Sequence, residues 1–350
     1  MKLVIEPLSN FDWKAAQPMQ IRHFKPIYYI SMAISNSTPS EFITMDSEYL
    51  SRINLRRETI ASKGSLVHGL TPDGQPAVQE LYSFLLKDYL PSRFSSIFSM
   101  SPDGKTFNNS ISGTKFPVSP FSASLSEEKE DPYVLALRNL GEIIDEDIFM
   151  LQEMPGGQGH KCVVFVCCFP NGFDPSSKLG KSLEEIHEPV PHYEKIGPSM
   201  ERHFRRMEVG KSVRRTNWSI QTSSTLYNVD SNHTEVVDTE DSSSSTCPYS
   251  NSSNSSKVTL SYVPDDPNID ISQTFLRVEL QTLLRLPKTR AIMFVFKTYA
   301  YPLKAIKEQE ALGEKLAESI DGLKKGNAPK MWTYKGGVRW GMKVKEYLRS

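Results

Sequence analysis

The clearest fold signal in the chain is Asp147-Ile-Phe-Met-Leu-Gln-Glu-Met-Pro-Gly-Gly-Gln-Gly-His-Lys-Cys-Val-Val-Phe-Val-Cys-Cys-Phe169. It holds two apolar runs, residues 147–152 and 162–169, joined by a glycine-rich segment. Two apolar runs of strand length around a glycine turn predict an antiparallel hairpin. The glycines lack the Lys-Ser/Thr pair of a phosphate-binding loop, so we interpret them as a turn.

Sequence patterns on either side predict further strands and covering helices. Residues 274–286 and 291–299 are predicted to be two strands, or a strand and a helix, joined at Pro287. Residues 98–131 are rich in Ser, Gly, Pro and Asn and are interpreted as a long loop with room for short strands. Apolar residues at helical spacing predict helices at residues 43–57, 77–90, 133–140 and 303–323, with Asp46 capping the first and Pro91 ending the second.

Composition excludes several classes of protein. The 350 residues carry 41 Lys+Arg and 41 Asp+Glu, a formal net charge of zero, which argues against a nucleic-acid binder or a polybasic membrane binder. No apolar run approaches the roughly 20 residues that span a bilayer, so no membrane insertion is expected. The first residues lack a signal-peptide pattern, and four cysteines are too few for a disulfide scaffold. We therefore expect a cytoplasmic protein with reduced cysteines.

A polar, low-complexity region interrupts the C-terminal half. Residues 242–256 contain nine serines and one aromatic residue, too little apolar surface to offset the entropy cost of ordering. We predict a disordered Ser/Asn-rich insertion at residues 239–257.

A histidine on a stiff support is the first candidate site residue. His187 comes just before Pro189 and Pro191. Two prolines make the backbone stiff, and a stiff backbone suits a side chain that must point in one direction to act as a ligand. The competing interpretation is a histidine that caps the C-terminus of a short helix. His192 and His203 are expected at the surface.

Two arginine clusters are the next candidates. Arg215 belongs to Arg214-Arg-Thr-Asn-Trp218, and strand alternation places Arg277, Glu279, Gln281, Leu283 and Arg285 on one face. A polar face in an apolar strand is either solvated or built around a polar ligand, and arginine suits a carboxylate. The competing interpretation is a surface Arg277–Glu279 pair.

Common metal and nucleophile motifs are missing from the sequence. His160, Cys162, Cys167 and Cys168 could supply zinc ligands, but alternation along a strand turns the sulfurs to both faces. No HExxH, CxxC, CxxCH or GxSxG occurs, which disfavours zinc proteases, c-type haem attachment and α/β-hydrolases.

Several motifs, taken in order along the chain, resemble one family. The resemblance is to the α subunit of haem-dependent oxidative N-demethylase, the dimethylamine monooxygenase class, once known only as a domain of unknown function. It covers residues 10–349 as a single unit, broken mainly by the Ser-rich insertion. The motifs are Asp46-Ser-Glu-Tyr-Leu50, Arg56-Arg57, Leu90-Pro-Ser-Arg-Phe94, Lys178-Leu-Gly180, Ile186-His-Glu-Pro-Val-Pro191, Arg215-Thr-Asn-Trp218, Arg277-Val-Glu-Leu-Gln-Thr-Leu-Leu-Arg-Leu-Pro287 and Tyr334-Lys-Gly336.

The resemblance implies an α+β fold, a PAS-like antiparallel sheet with covering helices, that holds haem b. It implies a monooxygenase that uses O₂ to oxidise the N-methyl group of a small methylated amine, releasing formaldehyde. His187 is the expected proximal ligand of the haem iron. Arg215, Arg277 and Arg285 are the expected partners of the propionates, and Tyr193 and Asn217 are candidate polar residues of the pocket.

Such chemistry needs electrons from elsewhere. The sequence has neither a flavin or nicotinamide fingerprint nor iron–sulfur cysteines, so we expect NAD(P)H electrons through a separate flavin/iron–sulfur reductase or a ferredoxin-like donor. Leu280 stands where the family pattern has Arg, which predicts an altered propionate or substrate contact. Alternatives are a thiolate ligand from Cys167 or Cys168, a PAS-like haem sensor or carrier that does not turn over, and a haem-free interaction scaffold.

Overall fold

The computed structural model describes residues 3–122, 130–230, 233 and 265–350. The insertion predicted at residues 239–257 lies outside the described residues.

A seven-stranded antiparallel sheet forms the centre of the described chain, in the spatial order β1-β8-β9-β10-β6-β7-β2. A second, three-stranded sheet has the order β3-β4-β5. The strand bounds are β1 (Ser35–Ser37), β2 (His68–Leu70), β3 (Phe98–Met100), β4 (Thr106–Asn109), β5 (Lys115–Pro117), β6 (Asp147–Glu153), β7 (His160–Val166), β8 (Ser212–Gln221), β9 (Phe275–Arg285) and β10 (Ile292–Pro302).

Helices cover the large sheet. They are α1 (Tyr49–Lys63), α2 (Gln75–Ser83), α3 (Leu90–Arg93), α4 (Pro132–Ile143), α5 (Leu183–His187), α6 (Gly197–Arg206), α7 (Gly313–Gly322), α8 (Met331–Tyr334) and α9 (Gly337–Arg349).

The structure confirms the predicted hairpin and the mixed helix-and-sheet class. β6 pairs with β7 in antiparallel register, with Phe149 opposite Phe165. Residues 274–286 and 291–299, predicted as two strands or as a strand and a helix, form two strands. β9 and β10 pair along their whole length, with Ile292 opposite Arg285. The loop predicted before α4 contains the small sheet.

Two predicted helices differ from those observed. Pro91 does not end the second helix, because π-helical turns at Phe84–Tyr89 precede it and the proline takes an early position in α3, where no N–H is needed. The single helix predicted at residues 303–323 is broken at Ala311, whose φ is 55°. After this break Gly313 packs against α9 so closely that a Cβ on it would lie 2.5 Å from the Leu348 carbonyl oxygen.

Alternation along the central strands separates two sides of the large sheet. Met293 and Val295 of β10 pack into the main core with α1, α2 and α4. Phe296 of the same strand faces the opposite side, with α5 and α6. α7 and α9 pack on the even-numbered residues at the start of β9, Leu276 to Leu280.

A buried ionic cluster fixes the start of β6. The Arg56 guanidinium lies 2.6 Å from Asp147 Oδ1, and the Asp147 carboxylate also accepts the main-chain N–H groups of Cys168 and Phe169. Lys297 Nζ lies 2.8 Å from Asp46 and 3.3 Å from Asp145. These contacts join α1, β6, β10 and the segment that follows β7.

Candidate functional site

A cavity of about 520 Å³ lies on the side of the sheet that faces α5 and α6. Its volume is in the range of roughly 300–1,000 Å³ found for ligand and cofactor pockets. Strands β6, β8, β9 and β10 form one wall, and α5, α6, α8 and the segment at residues 28–34 close it. Its apolar lining includes Phe149, Leu151, Leu183, Ile186, Pro189, Val190, Ile196, Met200, Phe204, Leu283, Phe294 and Phe296.

His187 lies in this cavity with a fixed tautomer. Its Nδ1 is 2.7 Å from the Leu183 carbonyl oxygen, which can only accept, so Nδ1 carries the hydrogen and Nε2 carries a lone pair. No described residue hydrogen-bonds to Nε2. Burial, reinforced by the charges of Lys178 and Arg215, lowers the pKa of His187 to about 4. The imidazole is therefore neutral at physiological pH.

His187 also ends a helix, as the competing interpretation predicted. It is the last residue of α5, which starts with the capping box of Ser182 and Glu185. Pro189 lines the cavity directly after it. The ring stacks on Tyr193 at 4.6 Å between centroids and 2° between planes. The helix end and the stacked tyrosine together hold the imidazole in one orientation.

The predicted polar residues Tyr193 and Asn217 both line the cavity. Burial raises the pKa of Tyr193 to about 12, so its hydroxyl stays protonated. The side-chain amide of Asn217 donates to Glu279 Oε2 at 3.4 Å and accepts from Lys335 Nζ at 3.0 Å.

Arg215 lines the cavity without a partner. It projects from β8 opposite Gln281 of β9. Its buried Nε has no hydrogen-bond partner, and no described residue forms a hydrogen bond or ion pair with its guanidinium group. Burial lowers the pKa of Arg215, and electrostatic interactions with Tyr28 and Glu279 oppose this shift. A buried cation without a counter-ion is costly unless a ligand supplies the anion.

Arg277 and Arg285 lie on the same face of β9 but do not line the cavity. The Arg277 guanidinium donates to Gln221 Oε1 at 2.9 Å and to the Leu226 carbonyl oxygen at 3.0 Å. Arg285 donates to the Phe204 carbonyl oxygen. Both side chains are almost fully buried, so the alternative of a surface Arg277–Glu279 pair is wrong.

Two further expectations are wrong. Leu280 lies among the apolar residues under α7 and α9, on the side of β9 that faces away from the cavity, so it makes no contact there. His203, expected at the surface, is half-buried and lines the cavity, and its buried Nε2 has no described partner. His192 is half-buried, and its Nδ1 lies 3.5 Å from Glu194.

A carboxylate and a lysine that the sequence analysis left unassigned form the polar end of the cavity. Glu279 accepts from the side-chain amides of Asn171 at 3.0 Å and Gln281 at 2.9 Å. Burial lowers the pKa of Lys335 to about 8, while Glu279 opposes this shift. Alternation predicted that Glu279 and Gln281 share a face. The only signal for Lys335 was its place in the Tyr334-Lys-Gly336 motif.

His233 and Tyr334 complete the lining, and neither was predicted as a site residue. Their rings stack at 4.4 Å between centroids. His233 is far in sequence from its contacts Gly172 and Tyr334, and no motif surrounds it, so only the structure could find it.

The cysteines offer no alternative ligand set. Cys162, Cys167 and Cys168 are free and buried, and none lines the cavity. Burial raises the pKa of Cys168 to about 12 and that of Cys167 well above its usual value. Within residues 3–122, 130–230, 233 and 265–350, no three His, Cys, Asp or Glu side chains form a metal-binding group.

None of the helices in the described part of the chain is both long and apolar enough to cross a lipid bilayer.

The fold and the cavity together define an α+β protein with a largely apolar, cofactor-sized pocket against an antiparallel sheet. The chain belongs to the family described as haem-dependent oxidative N-demethylase, alpha subunit-like, whose model matches residues 33–345. Among curated proteins, none matches the chain.

Proposed function

We propose that this protein is a haem b-dependent monooxygenase that removes a methyl group from a small methylated amine. The observation that carries the proposal is the neutral His187 imidazole, fixed through Nδ1, with its Nε2 lone pair open on an apolar cavity. Such a nitrogen can bind a haem iron, and the other ring N–H of a histidine ligand is usually bonded to a carbonyl or carboxylate. Family membership supports the choice of haem.

The cavity residues fit the group in charge as well as in shape. Haem carries two propionate carboxylates, and the cavity contains the unpartnered guanidinium of Arg215. Lys178 also lines the cavity, and among the described residues its Nζ donates a hydrogen bond only to the Ile186 carbonyl oxygen, at 3.2 Å. We assign one propionate to Arg215 and the other to Lys178. Arg277 and Arg285 receive no such role, because main-chain carbonyls already occupy them.

Once bound and reduced, haem would supply O₂ activation, and the chain's own residues would hold the amine. Glu279 is the carboxylate at the polar end of the cavity, and an ammonium group there would gain an ion pair. Asn217 bonds both Glu279 and Lys335, which fixes the carboxylate in place. The Phe149 and Phe296 rings, stacked at 6.1 Å, are part of the wall that excludes water. Tyr193 supports His187.

The electron supply is the second part of the proposal. The sequence contains no flavin, nicotinamide or iron–sulfur fingerprint, so we assign NAD(P)H electrons to a separate reductase or ferredoxin-like partner. We further propose that the sheet and its helices are PAS-like, that residues 10–349 form one unit, and that the protein works in the cytoplasm.

The test compares absorption spectra of haem-reconstituted wild type, His187→Ala and His192→Asn. His192 lies five residues away outside the cavity, and Asn suits its left-handed φ of 62°. We expect a Soret band for wild type and His192→Asn, and a Soret band that is lost or shifted for His187→Ala. Wild type, supplied with O₂, dimethylamine, NADPH and a ferredoxin–ferredoxin reductase couple, should release formaldehyde.

Three results would contradict the proposal in different ways. A normal spectrum in His187→Ala would move the ligand to another residue. Haem binding without formaldehyde release from any methylated amine would favour the sensor or carrier. A wild-type protein that binds no haem would favour the alternative of a haem-free interaction scaffold.

A further inference from the structure

The cavity contains a second histidine held in the same way as His187. His233 stacks on Tyr334 at 4.4 Å with 13° between the ring planes. His187 stacks on Tyr193 at 4.6 Å with 2° between the planes. Both histidines and both tyrosines line the one cavity. A stacked ring restricts rotation of the imidazole, so each histidine is held in one orientation within the cavity.

The tautomer of His233 is also fixed. Its Nδ1 lies 3.3 Å from the carbonyl oxygen of Gly172, which can only accept, so Nδ1 carries the hydrogen. Nε2 therefore carries a lone pair and cannot donate. Burial, reinforced by the positive charges of Lys335, Arg277 and Lys178, lowers the pKa of His233 to about 3. The ring stays neutral across the physiological pH range.

Gly172 allows this placement of His233. Its φ is +73°, and a Cβ built on it would lie 2.7 Å from His233 Nδ1 and 2.9 Å from the main-chain nitrogen of His233. Any other residue would both strain the backbone and displace the imidazole. The main chain of Gly172 is itself held by a hydrogen bond from its N–H to the Asn228 carbonyl oxygen at 2.8 Å.

We propose that His233 would hold a bound haem together with His187, as a second histidine ligand of its iron. This inference rests on the proposed haem binding. The Nε2 lone pair cannot donate a hydrogen bond to an iron-bound oxygen molecule. It can coordinate a metal, and neutral imidazole is a common iron ligand. Any external ligand must then displace His233 before it reaches the iron.

His203 is the natural control because it is the third histidine of the cavity. Its Nε2 is buried without a described partner, as expected for a free ring. Unlike the other two, it has no main-chain carbonyl that fixes its tautomer among the described residues, and its nearest aromatic neighbour, Phe204, is tilted at 57°. It lies on α6, between the apolar residues Met200 and Phe204.

The experiment measures the absorption and electron paramagnetic resonance spectra of ferric, haem-loaded wild type, His233→Ala and His203→Ala. Two nitrogen ligands give a low-spin iron, and one gives a high-spin iron. We expect a low-spin wild type and His203→Ala, and a high-spin His233→Ala that retains its haem. Added imidazole should return His233→Ala to the low-spin form, and CO should bind reduced His233→Ala at least tenfold faster than wild type.

A second variant tests the geometry without removal of the imidazole. Gly172→Ala keeps His233 but crowds its ring, so it should also become high-spin. A high-spin wild type, or a low-spin His233→Ala, would overturn the assignment, as would a spin change in His203→Ala alone.

The same samples separate this inference from the proposed function. A low-spin spectrum that depends on His233, without formaldehyde release, would refute the monooxygenase function and support His233 as an iron ligand. Formaldehyde release from a high-spin wild type would refute His233 as an iron ligand and support the monooxygenase function. A wild type without a Soret band would refute both.

Discussion

At the scale of single residues, Arg215 shows how an unpaired charge serves binding at the expense of stability. Its Nε is buried in the cavity wall, and its guanidinium has no hydrogen-bond or ion-pair partner among the described residues. The preceding residue, Arg214, is half-buried, and its guanidinium lies 3.3 Å from the Glu41 carboxylate. Two adjacent arginines on one strand thus have opposite surroundings, because alternation turns one side chain to the cavity and the other to solvent.

Replacement of Arg215 by Met should therefore have opposite effects with and without haem. We expect about tenfold weaker haem binding, since a propionate loses its cation, and a higher melting temperature of the haem-free protein, since a buried unpaired charge disappears. Titration with hemin and thermal melts check both effects. Arg214→Met should change neither, and equal haem affinity in the two variants would refute the assignment of Arg215.

Glu146 gives a pH dependence of stability. Burial, opposed by Lys297 and reinforced by Asp145, raises the pKa of Glu146 to about 7. Between the ordinary glutamate pKa and about 7, the folded state keeps a proton that the unfolded chain has lost. The free energy of unfolding attributable to this group therefore falls as pH rises through that window.

Glu146→Gln should remove this fall in the free energy of unfolding at high pH. Its amide oxygen can still accept from Thr44, whose main-chain N–H lies 2.7 Å from Glu146 Oε1. We expect urea melts to show a stability gain over wild type at pH 8 and a much smaller gain at pH 5. Glu318→Gln, on the exposed side of α7, is the control. A gain that is larger at pH 5 than at pH 8 would contradict the sign.

The sequence predicted some site residues and missed others for identifiable reasons. His187 carries a local signal, the two prolines that follow it, and strand alternation placed Glu279 and Gln281 together. His233 has no local signal, because its partners Gly172 and Tyr334 are about 60 and 100 residues away. Contacts of that kind depend on the whole fold.

At the scale of elements, α8 and α9 pack closely around Trp332 of α8. Gly341 of α9 lies under the indole of Trp332 in α8, and a Cβ on Gly341 would overlap that ring. α8 continues directly into Lys335 of the cavity wall. The packing of two surface helices thus positions a buried charge.

Gly341→Ala should destabilise the protein by about 1–3 kcal/mol, the usual cost of overpacking. Helix propensity alone predicts the reverse, a gain of roughly 1 kcal/mol, so the direction of the change tests the contact. Met342→Ala, at an exposed neighbouring position, should stay within about 0.5 kcal/mol of wild type. Guanidinium melts provide the comparison.

Elements with strong local patterns were predicted correctly, and elements shaped by distant contacts were not. The β6–β7 hairpin follows from two apolar runs and a turn. The break at Ala311 does not, because apolar residues keep their helical spacing across it, and the close contact of Gly313 with Leu348 of α9 is made with a distant part of the chain. The prediction that Pro91 ends the second helix was wrong for a similar reason, since π-helical turns cannot be predicted from the spacing of apolar residues.

At the scale of the whole molecule, the cavity draws on segments from both ends of the chain. Tyr28 and Lys335 line it together with residues from the middle of the sequence. A ligand bound there would contact most layers of the fold. We therefore expect added haem to shift the entire thermal transition and not a part of it.

Haem at about 100 times its dissociation constant should add roughly 2.7 kcal/mol to the stability of wild type. Calorimetry should show one transition that moves upward with haem concentration. His187→Ala should show a much smaller shift at the same haem concentration. Two transitions of which only one responds would mean that residues 10–349 are not a single unit.

The charges around the cavity also affect electron flow. Lys178, Arg215 and Lys335 face it, against the carboxylates of Glu279 and the exposed Asp174. A surplus of positive charge stabilises whichever oxidation state carries more electrons. A redox group in this cavity would accordingly have a higher reduction potential than in a neutral pocket. A weak reductant would then suffice to reduce it.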